Sequence, residues 1–180
     1  MNEIIRGYWA GAKYNGDFYC VETLSGYRGS CTLDPKGKQH LLPPEVSDEI
    51  LGLAVRDALA HSRFVLPERR TDVWQHPDVE FDLELDDYKK TAERYAAWIK
   101  NLMEHYGYKT KRALFKDMES CTIVSRSGLL TIQPSRHQKL EQWGREKTDQ
   151  IEDVTIPADS APAEIGAALR LAFRRCGDIS

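Results

Sequence analysis

The feature of this chain that most constrains its fold is a segment that occurs twice. Residues Leu51–Leu59 align with Ile165–Phe173, and one glycine, two alanines and one arginine coincide in identity. At the same spacing, His40–Pro43 aligns with Val154–Pro157, so a short apolar stretch ends at a proline in both places. Glycine inside a helix is unfavourable by about 0.5–1 kcal/mol relative to alanine. Its recurrence at the second position of both segments therefore indicates close backbone approach, of each helix against a sheet or against the other helix.

Strand signals precede both copies of this segment. Hairpins are predicted at Asp17–Thr23 with Gly29–Leu33 and at Cys121–Ser125 with Leu129–Gln133, each pair being separated by glycine-containing residues. A short strand then leads into each helix; Ser47 is the expected N-cap of the first, and Pro162 lies in the first turn of the second. We therefore predict an α+β fold in which residues 1–180 form a single compact domain. Its two similar β-hairpin–strand–helix halves span about residues 1–63 and 107–176.

The connection between the halves, residues 64–106, contains the clearest helix of the chain. Apolar and aromatic side chains recur at helical spacing from Asp87 to Tyr106, and Gly107 is placed as the C-cap. The stripe consists of Tyr88, Thr91, Tyr95, Trp98, Ile99, Leu102 and Tyr106. A stripe of this kind is typical of a core-facing helix surface. We predict a long amphipathic helix that joins the halves and buries its aromatic face.

Just before this helix the sequence is strongly acidic. Residues 68–87 hold eight acids and two arginines, a local net charge of roughly -6 in a chain whose total is -3. From Asp78 to Asp86 acids and apolar residues alternate strictly. Period 2 places all the carboxylates on one side of an extended strand and the apolar groups on the other, as anchors. The candidate partner-binding residues are Asp78, Glu80, Asp82, Glu84, Asp86 and Asp87.

This acidic row has two interpretations. It is a solvated face of a strand or arm, or it is a docking surface for a basic partner. A row of carboxylates imitates a nucleic-acid backbone and accelerates encounter with a positively charged cleft.

Motifs of enzymatic or metal chemistry are not found. The chain holds no phosphate-binding glycine loop, no H-E-x-x-H and no G-x-S-x-G. The five histidines are scattered, and the four cysteines fall at irregular spacings without a CxxC. We expect no catalytic residue, no metal and no cofactor, although a histidine site assembled by folding stays open. Cys20 and Cys31 are expected on adjacent strands, but reduced, since no export signal is seen at residues 1–6.

Composition bears on the cellular location of the protein, and a basic cluster bears on an alternative function. Mean hydropathy is -0.54, and no apolar run approaches the ~20 residues of a membrane helix, so a cytoplasmic protein is expected. A basic cluster around Leu114 and Phe115 could hold phosphate, but its pattern favours the solvated face of a short helix with those two residues buried. It consists of Lys109, Lys111, Arg112 and Lys116. The alternative function is thus a nucleic-acid-binding regulator, although the overall charge makes nucleic acid an unfavoured partner.

Two stretches of the chain resemble a known family. The run from Tyr106 to Met118, followed by Cys121, and the closing run from Ile156 to Ala172 are similar to one group of contact-dependent growth inhibition (CDI) immunity proteins. The similarity extends from the first hairpin to Cys176. Both runs are structural in character, a strand, a cap and a helix, and neither encodes a reaction.

The resemblance implies a function that the motifs do not show. Proteins of this family are small cytosolic toxin inhibitors found in Gram-negative bacteria, and each binds the C-terminal toxin domain of its own system's large surface-delivered exoprotein. The toxin is often a nuclease, and the inhibitor commonly covers its active site or substrate surface. The expected partner is therefore a cognate toxin domain, and the resemblance carries no catalytic residue to this sequence.

Overall fold

The computed structural model describes residues 3–176; residues 1–2 and 177–180, which the predicted domain boundaries include, lie outside the described residues. Strands and helices follow one another from the first strand to the last helix. In chain order they are β1 (Tyr8–Tyr14), β2 (Tyr19–Gly26), β3 (Cys31–Leu33), β4 (Gln39–Leu42), α1 (Asp48–Ala60), β5 (Val65–Leu66), β6 (Glu80–Phe81), a 3-10 turn (Leu83–Leu85), α2 (Tyr88–Tyr106), α3 (Lys111–Phe115), β7 (Glu119–Arg126), β8 (Leu129–Pro134), β9 (Arg136–Lys139), β10 (Gln142–Gly144), β11 (Val154–Pro157) and α4 (Pro162–Arg175).

The main sheet has the order β11-β8-β7-β1-β2-β3, and β4 also pairs with β2. All its pairings are antiparallel, and β1 lies against β7 at the centre, with Gly11 opposite Thr122. On one side a hairpin, β1–β2, is extended by β4 and followed by α1. On the other side a hairpin, β7–β8, is extended by β11 and followed by α4. The α+β class predicted from the sequence is confirmed, and the similarity of the two halves with their boundaries stays a prediction.

Helices α1 and α4 pack against each other over one face of this sheet, and both recurring glycines lie at their crossing. A Cβ on Gly52 would lie 1.7 Å from the carbonyl oxygen of Pro162, and a Cβ on Gly166 would lie 1.9 Å from that of Asp48. No side chain fits at such distances. Each helix therefore presents its glycine to the first turn of the other, and the expectation of close backbone approach is confirmed for the helices against each other.

The recurring arginines make a reciprocal contact as well. Arg56 of α1 donates to the carbonyl oxygen of Ser160, and Arg170 of α4 donates to that of Val46. Ser160 and Val46 occupy matching places just before the two helices. The glycine and arginine contacts thus relate the two helices by an approximate two-fold axis.

Local predictions for the helices and the second hairpin are confirmed. Ser47 caps α1 by accepting from the amide of Ile50 at 3.2 Å, and α4 begins at Pro162. Gly107 ends α2 with a φ of 73°. The turn between β7 and β8 has positive φ at Ser127 and Gly128, 52° and 77°, which suits the right-handed twist of a tight hairpin.

The first hairpin differs from the prediction. Its partner strands are β1 and β2, and the predicted Gly29–Leu33 strand is a three-residue edge strand beside the end of β2. The prediction missed β1 because its centre, Ala10-Gly11-Ala12, consists of residues that are poor strand formers in isolation. Ala10 and Ala12 are buried against the α1–α4 layer, where larger side chains would not fit.

On the opposite face of the sheet, α2 and α3 enclose a smaller core. It consists of Phe18, Cys20, Ile99, Leu102, Leu114, Phe115 and Met118, with Trp98, Tyr106 and Trp143 at its margin. The predicted burial of the aromatic stripe along α2 is wrong for its first half. Tyr88 is 87% exposed and Tyr95 39% exposed, because only the C-terminal turns of α2 reach the sheet.

Among the described residues no helix has the length and apolar character needed to cross a membrane. All four cysteines are free. Cys20 and Cys31 do lie on the neighbouring strands β2 and β3, but they do not face each other, since Cys20 is opposite Leu41 and Cys31 is opposite Gly26.

Candidate functional site

The acidic arm, defined here as residues 78–87, does not form the extended strand that its alternation predicts. Only Glu80 and Phe81 are in a strand, which pairs in parallel with β5. The chain then turns, because the Asp82 carboxylate accepts a hydrogen bond from the amide of Glu84 at 3.0 Å and begins the 3-10 turn. The predicted single row of outward carboxylates is therefore wrong: the turn breaks the alternation after two strand residues.

Asp82 points inward and fixes the arm to the body. Its carboxylate lies 3.1 Å from the Lys36 ammonium and 3.0 Å from the Arg63 guanidinium, and its side chain is 8% exposed. Arg63 also donates two hydrogen bonds to the fully buried Asp34 carboxylate, at 2.7 and 2.9 Å. Ser25 completes this ion-pair cluster with a 2.6 Å hydrogen bond to Asp34.

The charges in this cluster stabilise one another. Hydrogen bonds from the Lys36 ammonium, with Arg63 adding to them, lower the pKa of Asp82 from its ordinary 3.8 to about 2. Burial opposes ionisation of Asp34, but hydrogen bonds from Arg63 and Ser25 outweigh it, so the pKa of Asp34 lies below its ordinary value. Both carboxylates are thus ionised at neutral pH, and both are paired with cations of the protein itself.

The other five candidate acids are differently placed. Asp87 is the N-cap of α2 and accepts from the amide of Lys90 at 3.0 Å. Glu84 pairs with the Lys90 ammonium at 2.9 Å, and both side chains are about half exposed. The remaining three, Asp78, Glu80 and Asp86, are exposed. Four carboxylates of the arm therefore face solvent, and two hold the arm and its helix in place.

Apolar residues of the arm also separate into two groups. Val79 is buried, with Tyr27 and Phe64, in a small cluster that anchors the arm. Leu83 was predicted to be a second anchor, but it is 66% exposed. Together with the 87% exposed Tyr88, it places two large apolar side chains among the outward acids. Sequence reasoning missed this pair because it depends on the 3-10 turn, which the tertiary contacts of Asp82 impose.

The basic cluster is exposed on and around α3: Lys111 and Arg112 lie on the helix, and Lys109 and Lys116 flank it. Leu114 and Phe115 are fully buried on the other side of this five-residue helix. Of the exposed cations, Lys111 lies 3.6 Å from Glu141 and Lys116 lies 3.8 Å from Asp117. Acids thus neutralise part of the cluster, and the burial of both apolar residues agrees with the interpretation as a solvated helix face.

Folding does bring two histidines to one acid. His40 Nε2 lies 2.7 Å from the Asp57 carboxylate, and His61 Nδ1 lies 3.5 Å from its other oxygen. The three side chains are 30–41% exposed where β4 meets α1. The shorter contact of His61 Nδ1 is with the main-chain carbonyl oxygen of Asp57, at 2.8 Å, so only His40 takes the carboxylate as its hydrogen-bond partner and links β4 to α1. Among the described residues no group of three or more His, Cys, Asp or Glu side chains is arranged to hold a metal ion.

Comparisons with known proteins agree with this architecture. The family model for CdiI, the CDI immunity protein, matches residues 8–176. Immunity protein CdiI-YPIII of Yersinia pseudotuberculosis serotype O:3 (strain YPIII) is 57% identical over 176 residues, which cover 98% of this chain and 99% of that protein.

Solved structures show the same similarity. A CdiA-CT/CdiI toxin and immunity complex from Yersinia pseudotuberculosis contains a chain that superposes with a TM-score of 0.92 at 57% identity, covering 97% of this chain and all of that one. A protein of unknown function, NMB0488 from Neisseria meningitidis, superposes with a TM-score of 0.79 at 40% identity, covering 98% and 99% of the two chains. With a family model that spans nearly the whole chain and a relative this similar, the chain belongs to the CdiI family of CDI immunity proteins.

Proposed function

We propose that this protein binds and neutralises the C-terminal toxin domain of the CDI effector that accompanies it, without catalysing a reaction. The observation that carries the proposal is the match, at 57% identity and a TM-score of 0.92, to the immunity chain of a CdiA-CT/CdiI complex. Inhibition by binding needs a stable surface and no reactive group, which suits a chain whose sequence holds none of the catalytic motifs sought.

The acidic arm is the proposed docking surface, and we propose a nuclease as the toxin. A nuclease binds phosphates through a basic cleft, and outward carboxylates attract such a cleft over about 8–10 Å at physiological ionic strength. The contacting acids are Asp78, Glu80, Glu84 and Asp86. Asp82 and Asp87 act indirectly, since one fixes the arm to Arg63 and the other begins α2.

The exposed apolar pair gives this surface its short-range contacts. Charges at an interface chiefly raise the association rate, whereas buried aromatic and aliphatic groups chiefly slow dissociation. Leu83 and Tyr88 lie on either side of the outward acids Glu84 and Asp86 along the chain. In the proposed complex these two side chains fill apolar depressions of the toxin, and the acids form the rim.

Association kinetics test the docking surface. The arm variant carries Asp78→Asn, Glu80→Gln, Glu84→Gln and Asp86→Asn, and the control variant carries Glu45→Gln, Asp117→Asn, Glu152→Gln and Asp159→Asn, all exposed acids outside the arm. Both change the net charge equally. We expect the arm variant to bind toxin about tenfold more slowly at low salt, with a smaller difference at high salt, and the control to bind close to the wild-type rate. Equal rates for the two variants would remove the arm from the interface.

Neutralisation and the absence of catalysis need separate measurements. Co-expression with the toxin domain restores growth if the proposal holds, and the purified toxin assayed on DNA and RNA shows whether it is a nuclease. The immunity protein alone is incubated with nucleic acid, ester and phosphate substrates. Turnover that persists through repurification and is lost in His40→Ala would contradict the non-catalytic role and assign one to the histidine pair.

A further inference from the structure

Two buried thiols lie in contact where the end of α4 meets the sheet. The Sγ atoms of Cys121 and Cys176 are 3.6 Å apart, a hydrogen-bonding contact between residues separated by 55 positions in the chain. Cys121 lies on β7, and Cys176 ends α4, with its amide bonded to the carbonyl of Phe173 at 3.1 Å. Both belong to the core that α1 and α4 form on the sheet.

We propose that Cys121 and Cys176 are a peroxide-oxidisable pair that closes to a disulfide and locks the end of α4 onto β7. A disulfide needs the two sulfurs to approach to about 2.05 Å with a Cβ–S–S–Cβ dihedral of about ±90°, and rotation about the Cα–Cβ bonds moves the sulfurs toward this geometry. Neither Cys20 nor Cys31 has a second thiol as hydrogen-bond partner: Cys20 donates to Glu22 on β2, at 3.3 Å.

The two thiols have different roles in the oxidation. A hydrogen bond from the Cys121 thiol lowers the pKa of Cys176 below its ordinary value, whereas burial raises the pKa of Cys121 well above its own. The direction of these shifts favours Cys176 as the nucleophile, and its Sγ also contacts the carbonyl oxygen of Ser120 at 3.5 Å. It is also the more exposed sulfur residue, at 8% against 1%, and it lies at the end of a helix, where local opening is least unfavourable.

The chemistry balances with a peroxide as the oxidant. The Cys176 thiolate attacks one peroxide oxygen, the O–O bond breaks, and sulfenic acid forms while hydroxide leaves and takes up a proton as water. Cys121 then attacks the Cys176 sulfur, the S–S bond forms and the S–O bond breaks, and the departing hydroxide takes the Cys121 proton as a second water. Two thiols and one hydrogen peroxide become one disulfide and two waters.

Thiol counting and peptide mapping of the full chain test the pair. Before treatment, unfolded protein should react with a thiol reagent at all four cysteines, and after one equivalent of hydrogen peroxide at two of them. A peptide map should then show Cys121 linked to Cys176, and a thiol reductant should reverse the change. The double variant Cys20→Ser/Cys31→Ser keeps the pair alone and should form the same link.

Thermal unfolding tests the lock. Closing a loop of 55 residues should raise the melting temperature of the oxidised double variant by about 5–15 °C over its reduced form. Cys121→Ser should lose this rise and accumulate oxygen adducts on Cys176. The proposal is overturned if the double variant keeps both thiols after peroxide, or if its link forms without raising the melting temperature. Because wild-type mapping needs no variant, a variant that fails to fold leaves the test intact.

Discussion

The helices on the two faces of the main sheet differ in how much of their surface is buried. On one face α1 and α4 touch main chain to main chain, and their inner residues Leu51, Ala58, Leu169 and Ala172 have no exposed surface. On the other face α2 buries only Ile99 and Leu102 among its nineteen residues, and its first half has no buried residue. Stability is therefore concentrated in the α1–α4 layer, and α2 with the acidic arm is left free to vary in its exposed surface.

This difference suits a protein that must keep one fold while it matches one toxin. A helix pair that depends on main-chain contact accepts almost no change at its crossing. An exposed arm held by one ion-pair cluster and a small apolar cluster accepts changes at every outward position without loss of the fold. The predictions below test this division, beginning with the α1–α4 layer.

Gly166→Ala should produce the largest loss of stability. Its added Cβ would lie 1.9 Å from the Asp48 carbonyl oxygen, and relief requires the two helices to separate. We expect the free energy of unfolding in urea to fall by about 3 kcal/mol or more, the upper end of overpacking effects. Gly29→Ala is the matched control, since nothing lies within 4 Å of the added atom. Similar stabilities for the two variants would contradict the tight crossing.

Asp34→Asn should also produce a large loss of stability. The side chain of Asp34 is fully buried, and its loss of charge leaves the Arg63 guanidinium with only Asp82 as a charged partner. We expect a loss of about 2–3 kcal/mol in the free energy of unfolding, as for a buried hydrogen bond between charged groups. Asp72→Asn breaks an ion pair whose members are more than half exposed, and it should change stability little. An equal effect of both variants would mean that the buried cluster does not anchor the arm.

The same cluster should make stability depend on acid. The pKa of Asp82 is about 2 in the folded protein and near its ordinary 3.8 when unfolded, and that of Asp34 is also lowered. Lowered pKa values stabilise the fold above pH 4, and this contribution is lost as the pH falls from about 4 to about 2. The stability difference between wild type and Asp82→Asn, measured by urea unfolding, should thus shrink between pH 5 and pH 3. A difference that stays constant or grows would contradict the assignment.

The sequence predicted those parts of the molecule that local chemistry determines. Gly107, Ser47 and the Ser127–Gly128 turn act within a few residues, and all three were predicted correctly. The recurring glycines were informative at long range because a helix interior disfavours glycine unless another backbone comes too close for a Cβ. The strand β1 escaped prediction because its alanines are explained only by the helices packed on them.

The candidate site was predicted less well, for a physical reason. The alternation of acidic and apolar residues from Asp78 to Asp86 predicts a strand only if every acidic side chain is exposed to solvent. Asp82 instead finds Lys36 and Arg63, which come from distant parts of the chain, and the resulting turn exposes Leu83. The composition of the arm was thus visible in the sequence, whereas the division into contacting and anchoring acids required the tertiary structure.

The smallest effect on stability is expected on the exposed half of α2. Tyr88 is 87% exposed and Ile99 is 4% exposed on the same helix, so the two positions form a matched pair. Tyr88→Ala should change the free energy of unfolding by less than about 0.5 kcal/mol, whereas Ile99→Ala should lower it by about 2–4 kcal/mol.

Toxin binding should reverse this order of effects. Under the proposed function, Tyr88→Ala and Leu83→Ala remove apolar contacts that form only in the complex. Dissociation of the toxin should become at least about tenfold faster for Tyr88→Ala, with the association rate nearly unchanged. Leu129→Ala is the control. That side chain is 49% exposed on β8, which pairs with the edge strand β11 on the side of the sheet away from β3. If the toxin dissociates from the Tyr88→Ala variant at the wild-type rate, the toxin binds another surface of the protein. The exposed half of α2 then has no part in recognition.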